Sequence, residues 1–271
     1  MTGQDPSTVV LEKVGPENLT ECGIGCLTNP NHEGFGPKVE WLRKRFDEGL
    51  RFLLFRDGEG KPLAFLEYVP GEYAWRPVDA EGWLFVHCLW VYSRGKRVGG
   101  LGGGLVQACV EEARAAGVRG VAAMVSDGTW MAGKEVFLRN VFKEVAEADR
   151  FQLVIHRLKE GPEPRFRDIS GNLAKYQGLN AVYSAQCPMV PKSVNDLAEM
   201  AAENGLELKV TVLESAQEAQ DAPSYYGVFN LIWNGRLLSD HYVSEGRFKN
   251  LLKKEIFSED GGGTRRTTPE T

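Results

Sequence analysis

The sequence predicts an α/β protein of two domains, the first of them built around a central mixed sheet. Short apolar runs typical of buried strands alternate with segments of helical periodicity along the chain. A glycine-dense loop joins one of the most apolar strands to a helix. A charged segment with two prolines, 159–168, interrupts the pattern, which then restarts. The 271 residues are enough for two domains of ordinary size.

The first domain, 1–158, alternates strands with three helices. The first helix is predicted from an apolar face formed by Trp41, Leu42 and Phe46, and the second ends at Gly117, a residue typical of helix C-termini. Predicted strands lie at 8–14, 51–55, 62–68, 83–92, 118–125, 142–145 and 152–158. Predicted helices lie at 39–48, 105–116 and 130–140.

The second domain, 179–257, follows a linker at 159–178. Its last two strands are joined by Asn234-Gly235, a strong hairpin signal. Predicted strands lie at 179–183, 208–213, 227–233 and 236–240, and predicted helices at 190–204 and 246–255. The glycine-rich tail, 258–271, is expected to be disordered.

Composition narrows the classes of function. A net charge of −5 gives no basic excess for a phosphate backbone, so we expect no nucleic-acid partner. No apolar run is long enough to span a bilayer and the polar start does not resemble a signal peptide, which favours a cytoplasmic protein without a membrane partner. The five cysteines are odd in number and do not form a secreted disulfide framework. A homodimer is left open.

The glycine loop is the most informative motif. It reads Arg97-Val98-Gly99-Gly100-Leu101-Gly102-Gly103-Gly104, after a buried strand and at the start of a helix. Backbone N–H groups without neighbouring side chains, together with the positive end of the helix dipole, form an anion site suited to a pyrophosphate. The Rossmann spacing fails because Leu105 stands where its third glycine should be, and no Gly-Lys-Ser/Thr follows for a P-loop.

The spacing Arg97-x-x-Gly100-x-Gly102 resembles the [QR]-x-x-G-x-[GA] motif of the GNAT acetyltransferases, and the order of elements from Trp83 to Leu158 resembles that family. The resemblance implies acetyl-CoA, or another acyl-CoA, as cofactor and acyl transfer to a small-molecule amine. It implies pantetheine along the strand and pyrophosphate at the loop. The implied coenzyme contacts are Leu89, Trp90, Val91, Lys96, Arg97, Val98, Gly99, Gly100, Leu101, Gly102, Gly103, Ser126 and Trp130.

Acyl transfer requires a base and an oxyanion donor. We expect the donor to be the backbone N–H of Leu89 or Trp90. Candidates for the base are Glu67, His87 and Cys88; the last two are adjacent on one strand, so only one of them is expected to face the cleft.

The acid that usually protonates the leaving thiolate is a tyrosine in GNAT proteins. The aligned residue is Phe137, which puts standard acetyl transfer in doubt, and Tyr68 and Tyr73 are the alternatives.

The second domain resembles the YoaP-like domain that some GNAT proteins carry, through segments such as 183–188 and 219–224. This resemblance implies a thioredoxin-like fold. Cys187 precedes a helix, and we expect the helix N-terminus to lower its pKa. Val190 replaces the second cysteine of a C-x-x-C motif, which excludes a dithiol cycle within the motif.

An alternative function is a thiol- or metal-handling protein on a GNAT scaffold. It would use Cys22, Cys26, Cys88 and Cys187. Cys22 and Cys26, followed by His32, have a spacing compatible with a metal, although three ligands make an incomplete structural zinc site, so no metal site is predicted.

Overall fold

The computed structural model describes residues 8–92 and 99–257. Within them, no helix is both long and apolar enough to cross a membrane. The strands are β1 (Val9–Val14), β2 (Arg51–Asp57), β3 (Pro62–Pro70), β4 (Val78–Asp79), β5 (Leu84–Val91), β6 (Gly120–Val125), β7 (Lys143–Ala148), β8 (Phe151–Arg157), β9 (Arg165–Phe166), β10 (Leu179–Tyr183), β11 (Leu208–Val212), β12 (Phe229–Trp233) and β13 (Arg236–Ser239).

The helices differ more from the prediction than the strands do. They are α1 (Leu19–Cys22), α2 (Phe35–Asp47), α3 (Leu101–Ala116), α4 (Glu135–Leu138), α5 (Met189–Glu203), α6 (Ala216–Gln220) and α7 (Glu245–Leu251), the last continued by a π-helical turn to Ile256. The helix predicted at 130–140 is wrong except for the single turn of α4. Trp130 has a φ of 68°, which no helix accommodates, and only the last part of the segment is helical.

A seven-stranded mixed sheet forms the first half, in the order β1-β2-β3-β5-β6-β8-β7. Every pair is antiparallel except β5 and β6, which are parallel and connected by α3. Helix α3 covers one face of this sheet, where its apolar stripe packs into a core that includes Leu66, Val106 and Val154. The predicted α/β class with a central mixed sheet is confirmed.

A separate four-stranded sheet forms the second half, in the order β11-β10-β12-β13. Strands β10 and β11 are parallel and are linked by α5, whereas β12 and β13 form the hairpin that Asn234-Gly235 predicted. This half lies on the other face of the seven-stranded sheet. Its buried apolar residues join those of that face in one continuous core, with Trp41 and Trp75 on one side and Val190 and Tyr226 on the other.

The predicted linker is folded against the first half. Its β9 pairs with β4, and Arg165 and Arg167 both form ion pairs with Asp79. The large sheet and the four-stranded sheet share no strand, which is consistent with the two predicted domains. The domain boundaries at 158 and 179 remain a prediction. The disorder expected for 258–271 also remains a prediction, because that segment lies outside the described residues.

Candidate active site

A cleft opens in the large sheet where β5 and β6 diverge. The two strands pair only over Leu84–Val86 and Val121–Ala123, although β5 continues to Val91 and β6 to Val125. On its other edge β5 stays paired with β3 along its length. Beyond Val86, therefore, the edge of β5 that faces β6 presents backbone N–H and C=O groups to whatever occupies the cleft.

The glycine loop lies beside this cleft. Helix α3 begins at Leu101, four residues before the predicted start, and Gly100 caps it with a φ of 83° that favours glycine. The helical hydrogen bonds start with the Gly104 N–H donating to the Gly100 carbonyl at 2.9 Å, so the preceding amides have no acceptor within the helix. Gly102 is buried, and a Cβ there would lie 3.2 Å from Val91 Cγ2, which shows how closely α3 packs on the end of β5.

Three of the predicted coenzyme contacts, Lys96, Arg97 and Val98, lie outside the described residues. Leu89 and Trp90 line the cavity described next, and the exposed Gly99 and Gly100 lead into α3. Ser126 is buried at the end of β6, where its hydroxyl accepts from the Gly128 N–H and from Arg150. It does not line the cavity.

A cavity of about 160 Å³ occupies the cleft and extends between the two halves of the chain. Its walls come from β3, β5 and β6, from the segment around Trp130, and from two loops of the second half. Its lining residues are Cys26, Phe65, Glu67, Arg76, Val86, His87, Cys88, Leu89, Trp90, Met124, Trp130, Met131, Ala132, Phe137, Gln186, Cys187, Pro188, Met189, Tyr226 and Val228. Glu67, His87, Cys88 and Cys187, the four predicted catalytic residues, are thus brought together, and both neighbours on β5 reach the cavity.

Glu67 forms a buried ion pair with Lys38. The lysine Nζ lies 2.8 Å from each carboxylate oxygen, and both side chains are 1% exposed. The ammonium also lies 4.4 Å from the centroid of the Trp41 ring. Sequence reasoning missed Lys38, although the helical spacing 38, 41, 42, 45 shared by the buried residues of α2 was a signal that this lysine points inwards.

His87, one of the three candidate bases, is a hydrogen-bond acceptor in this structure. Its Nε2 accepts the Trp75 N–H at 2.9 Å, which places the proton on Nδ1. Burial, followed by the charges of Arg76 and Lys38, holds the pKa of His87 well below its ordinary value. Because the lone pair of Nε2 is already used, the ring has no free site to take a proton from substrate. Its Nδ1 has no hydrogen-bond partner among the described residues.

The cavity thiols are neutral. Burial raises the pKa of Cys88 to about 12 and raises that of Cys26 well above its ordinary value. The lowered pKa predicted for Cys187 is wrong. Burial raises it, and this outweighs the Met189 N–H and the charge of Lys38, which act in the expected direction. The helix N-terminus therefore acts on Cys187 as predicted, but it is weaker than the loss of hydration.

The alternative thiol or metal function is not favoured. Cys22 donates to Glu12 at 2.9 Å, away from the cavity that Cys26 lines, so the predicted pair does not meet there. Burial and Glu12 raise the pKa of Cys22 to about 11. In 8–92 and 99–257, no three His, Cys, Asp or Glu side chains are arranged to hold a metal ion.

The phenol expected on α4 is absent, and another one lines the cavity. Phe137 forms part of the wall as the alignment implied. Tyr68 faces the opposite core and donates to Glu112 at 2.6 Å, whereas Tyr73 is 40% exposed and outside the cavity. Tyr226, from the loop before β12, reaches the cavity from the second half, and sequence reasoning missed it because an irregular loop carries no periodic signal.

Arg76 is a second residue that the sequence analysis missed. Its side chain is buried in the irregular segment between β3 and β4, and it lines the cavity. It donates to the Trp75 carbonyl at 3.0 Å, to Gln186 Oε1 at 3.1 Å and to the His87 carbonyl at 3.5 Å. Its guanidinium lies 5.1 Å from the centroid of the Tyr226 ring. One residue of the first half thus contacts two residues of the second.

Comparisons with known proteins agree with parts of this description. A family model described as YoaP-like matches residues 207–250. A curated relative from Bacillus subtilis (strain 168), named as an uncharacterized N-acetyltransferase YoaP, is 27% identical over 247 residues, which cover 89% of this chain and 97% of the relative. Its name gives the class of enzyme that the glycine loop predicted.

Solved structures similar to this chain include a GNAT family acetyltransferase from Brucella melitensis in complex with acetyl-CoA, 20% identical, with a TM-score of 0.37 over 60% of this chain and 94% of that one. Another is yncA from Salmonella typhimurium, a putative acetyltransferase with its cofactor acetyl-CoA, 16% identical, with a TM-score of 0.41 over 58% of this chain and 98% of that one.

Proposed function

We propose that this protein is a GNAT-type acetyltransferase that transfers the acyl group of acetyl-CoA, or of another acyl-CoA, to the amine of a small molecule. The observation that carries the proposal is the divergence of β5 and β6 beside the N-terminus of α3. It offers an unpaired strand edge and a set of free helix amides in one cleft. The curated relative supports the same enzyme class, because it is named as an N-acetyltransferase and the match covers most of both chains.

The coenzyme would lie along the outer part of this cleft. We place pantetheine against the backbone of Leu89–Val91, as an added strand would lie. The pyrophosphate would be held by amides from Val98 to Gly103, with Lys96 and Arg97 at the rim. Trp130, which lines the cavity and packs on Tyr242 with 5.4 Å between ring centroids, would flank the thiol end. Ser126 would flank the thiol end only through the backbone of the loop that follows β6.

The acceptor is proposed to be small because the second half supplies part of the cavity wall. Gln186, Cys187 and Tyr226 form part of a wall that would otherwise be open cleft. A volume of about 160 Å³ is comparable with a cavity that admits a molecule the size of benzene.

The chemistry needs one proton acceptor and one proton donor. The amine nitrogen attacks the thioester carbonyl carbon, and the oxyanion that forms is stabilised by the backbone N–H of Leu89, because alternation along β5 directs the Trp90 N–H to β3. The C–S bond then breaks. We assign the proton of the amine to Glu67, the carboxylate among the cavity-lining residues. We assign the proton for the leaving thiolate to Tyr226, the phenol among the cavity-lining residues, in place of the phenol that Phe137 lacks.

The second half is proposed to be thioredoxin-like in fold and non-redox in role. Its strand order, with one parallel and two antiparallel pairs, supports the first part. The raised pKa of Cys187 and the Val190 that follows support the second, because neither a thiolate nor a resolving thiol is present in the motif.

Calorimetric titration with acetyl-CoA, combined with mass spectrometry of amines after incubation, tests the proposal. We expect one coenzyme per chain and an added acetyl group on a small amine. Tyr226→Phe should lower kcat by about 100-fold without changing coenzyme affinity. Absence of coenzyme binding would contradict the function. Full activity of Tyr226→Phe would contradict only the assignment of the acid.

A further inference from the structure

The buried charges beside the cavity are not balanced. Lys38 compensates Glu67 by the ion pair described above. Arg76 has no such partner, because no carboxylate among the described residues lies within ion-pairing distance of its guanidinium. All three of its hydrogen bonds go to neutral acceptors, namely two backbone carbonyls and the amide oxygen of Gln186. Lys38, Glu67 and Arg76 together therefore carry one excess positive charge next to the cavity.

This charge is buried. Arg76 is 3% exposed, and a guanidinium remains protonated in proteins even where burial lowers its pKa, as it does here. An unpaired cation with so little contact to water is costly, and such charges are normally paired or neutralised. A resident anion would remove that cost, which makes the cavity more complementary to an anion than to a neutral or cationic molecule.

We propose that the acceptor carries a carboxylate, which accepts a hydrogen bond from Arg76, so that the substrate class is a small amino acid or a related amino-carboxylate. This inference rests on the proposed acetyltransferase function. An amino acid in its reactive free-amine form has a charge of −1, which balances the excess charge of Arg76. Its amine then faces Glu67, the acidic group of the same cavity.

A competing role for Arg76 is purely structural, since its bond to Gln186 connects the two halves. The two roles differ in what they predict for matched acceptors. Recognition of a carboxylate affects amino acids and not the corresponding amino acid amides, which have the same shape without the negative charge. A structural role affects both acceptors equally.

The experiment compares wild type with Arg76→Gln, Arg76→Lys and Gln186→Ala on a panel of proteinogenic amino acids and their carboxamides. Product is measured by mass spectrometry with acetyl-CoA as donor. For each acceptor that reacts, we expect wild type to prefer the acid over the amide by about tenfold or more in kcat/KM. Arg76→Gln should remove the preference by raising KM for the acid. Arg76→Lys should restore part of it, and Gln186→Ala, which removes the bond between the halves but keeps the guanidinium, should retain it.

Calorimetric binding of the same acids to the protein with CoA bound gives a readout independent of turnover. If amino acids bind to wild type and Arg76→Gln weakens that binding, the inference is supported. This holds even if the protein acetylates no amine, in which case only the proposed function fails. The inference is overturned if no acid binds, if wild type does not distinguish acid from amide, or if Arg76→Gln impairs both equally.

Discussion

The buried pair of Lys38 and Glu67 combines a catalytic proposal with a structural cost. Removing only one partner leaves an uncompensated charge in a place where each side chain is 1% exposed. A loss of activity in Glu67→Gln alone would therefore not distinguish a missing base from a damaged fold. The double variant Lys38→Met/Glu67→Gln separates the two, because it removes both charges.

We expect Glu67→Gln to lower the free energy of unfolding by about 3–5 kcal/mol and the double variant to recover most of that loss. In both, kcat should fall by about 100-fold, since the base is gone in each. Denaturant unfolding and steady-state kinetics measure the two effects, and coenzyme affinity serves as the internal control. A double variant that regains stability together with wild-type turnover would assign the base elsewhere.

The cavity thiols predict a loss of stability at alkaline pH. Cys88 titrates near pH 12 in the native protein and near pH 9 when exposed, so the unfolded state releases its proton first. The neutral thiol contributes its full stabilisation below about pH 9, and this contribution is lost as the pH rises towards 12. The slope approaches about 1.4 kcal/mol per pH unit for each such thiol. Urea unfolding between pH 7 and 10 measures it, and Cys88→Ala should show a shallower fall than wild type.

Cys187, another cavity thiol, should react slowly with iodoacetamide at neutral pH. Its raised pKa leaves little thiolate, and the cavity restricts access. The site-resolved rate should increase with pH and approach that of free cysteine only after unfolding in urea. Fast alkylation of Cys187 in the native protein at pH 7 would show that burial does not dominate there.

Residue types and strand positions identified Glu67, His87 and Cys88 as cavity residues, because each lies on a strand with clear apolar patterning. Their roles depend on tertiary partners that the sequence does not reveal. The acceptor role of His87 Nε2 comes from the Trp75 amide, in an irregular segment. Arg76 and Tyr226 were missed because both lie in such segments, where no periodicity indicates which way a side chain points.

Among the elements, α3 is the one whose start matters for function. The first helical turn includes three glycines that the sequence analysis assigned to a loop. They were assigned to a loop because glycine has a low helix propensity. In the structure, packing against Val91 and Val136 favours the helix at this position. The strands were predicted closely because their apolar runs are bounded by turns. The failed helix at 130–140 had apolar residues at suitable spacing, but its backbone turns at Trp130 instead.

A side chain on Gly99 should block the coenzyme site without disturbing α3. A Cβ there meets no described atom within 4 Å, and the residue has no positive φ. We expect Gly99→Val to raise the Kd for acetyl-CoA about tenfold or more, through loss of amide contacts to the pyrophosphate. Gly171→Val is the matched control, because that glycine is equally unobstructed and remote from the cleft. Calorimetry measures the affinities and thermal unfolding measures the stability of each variant. Equal affinity in the two variants would show that the coenzyme site is not at this loop.

At the scale of the whole molecule, the two halves pack against each other and are joined by polar contacts. Gln220 of the second half donates to the Glu72 and Ala74 carbonyls of the first at 2.9 and 3.2 Å, and Arg150 pairs with Asp240 at 3.0 Å. Both halves also contribute walls to the cavity. The sequence showed where the pattern restarts, but it carried no signal for docking, since apolar residues that face a second unit have the same periodicity as those that face a domain's own core.

Gly34 is the point at which this docking is most sensitive to a single atom. A Cβ on Gly34 would overlap the carbonyl oxygen of Pro188 and lie 2.6 Å from its carbonyl carbon, and both are backbone atoms that cannot rotate away. The start of α2 and the segment of Cys187 would have to separate. Gly36 lies two residues further along, and a Cβ added there would meet no described atom within 4 Å, so this glycine provides a matched control.

We expect Gly34→Ala to lower the free energy of unfolding by about 1–3 kcal/mol and to raise the acceptor KM, while the affinity for acetyl-CoA stays unchanged. The proposed coenzyme contacts belong to the first half, whereas the second half contributes the wall beside the proposed acceptor position. Limited proteolysis should cut within 159–178 faster in Gly34→Ala than in Gly36→Ala, because separation of the halves loosens the segment between them. If the two variants show the same cleavage and the same KM, docking at Pro188 does not shape the cavity, and acceptor selection must then reside in the first half alone.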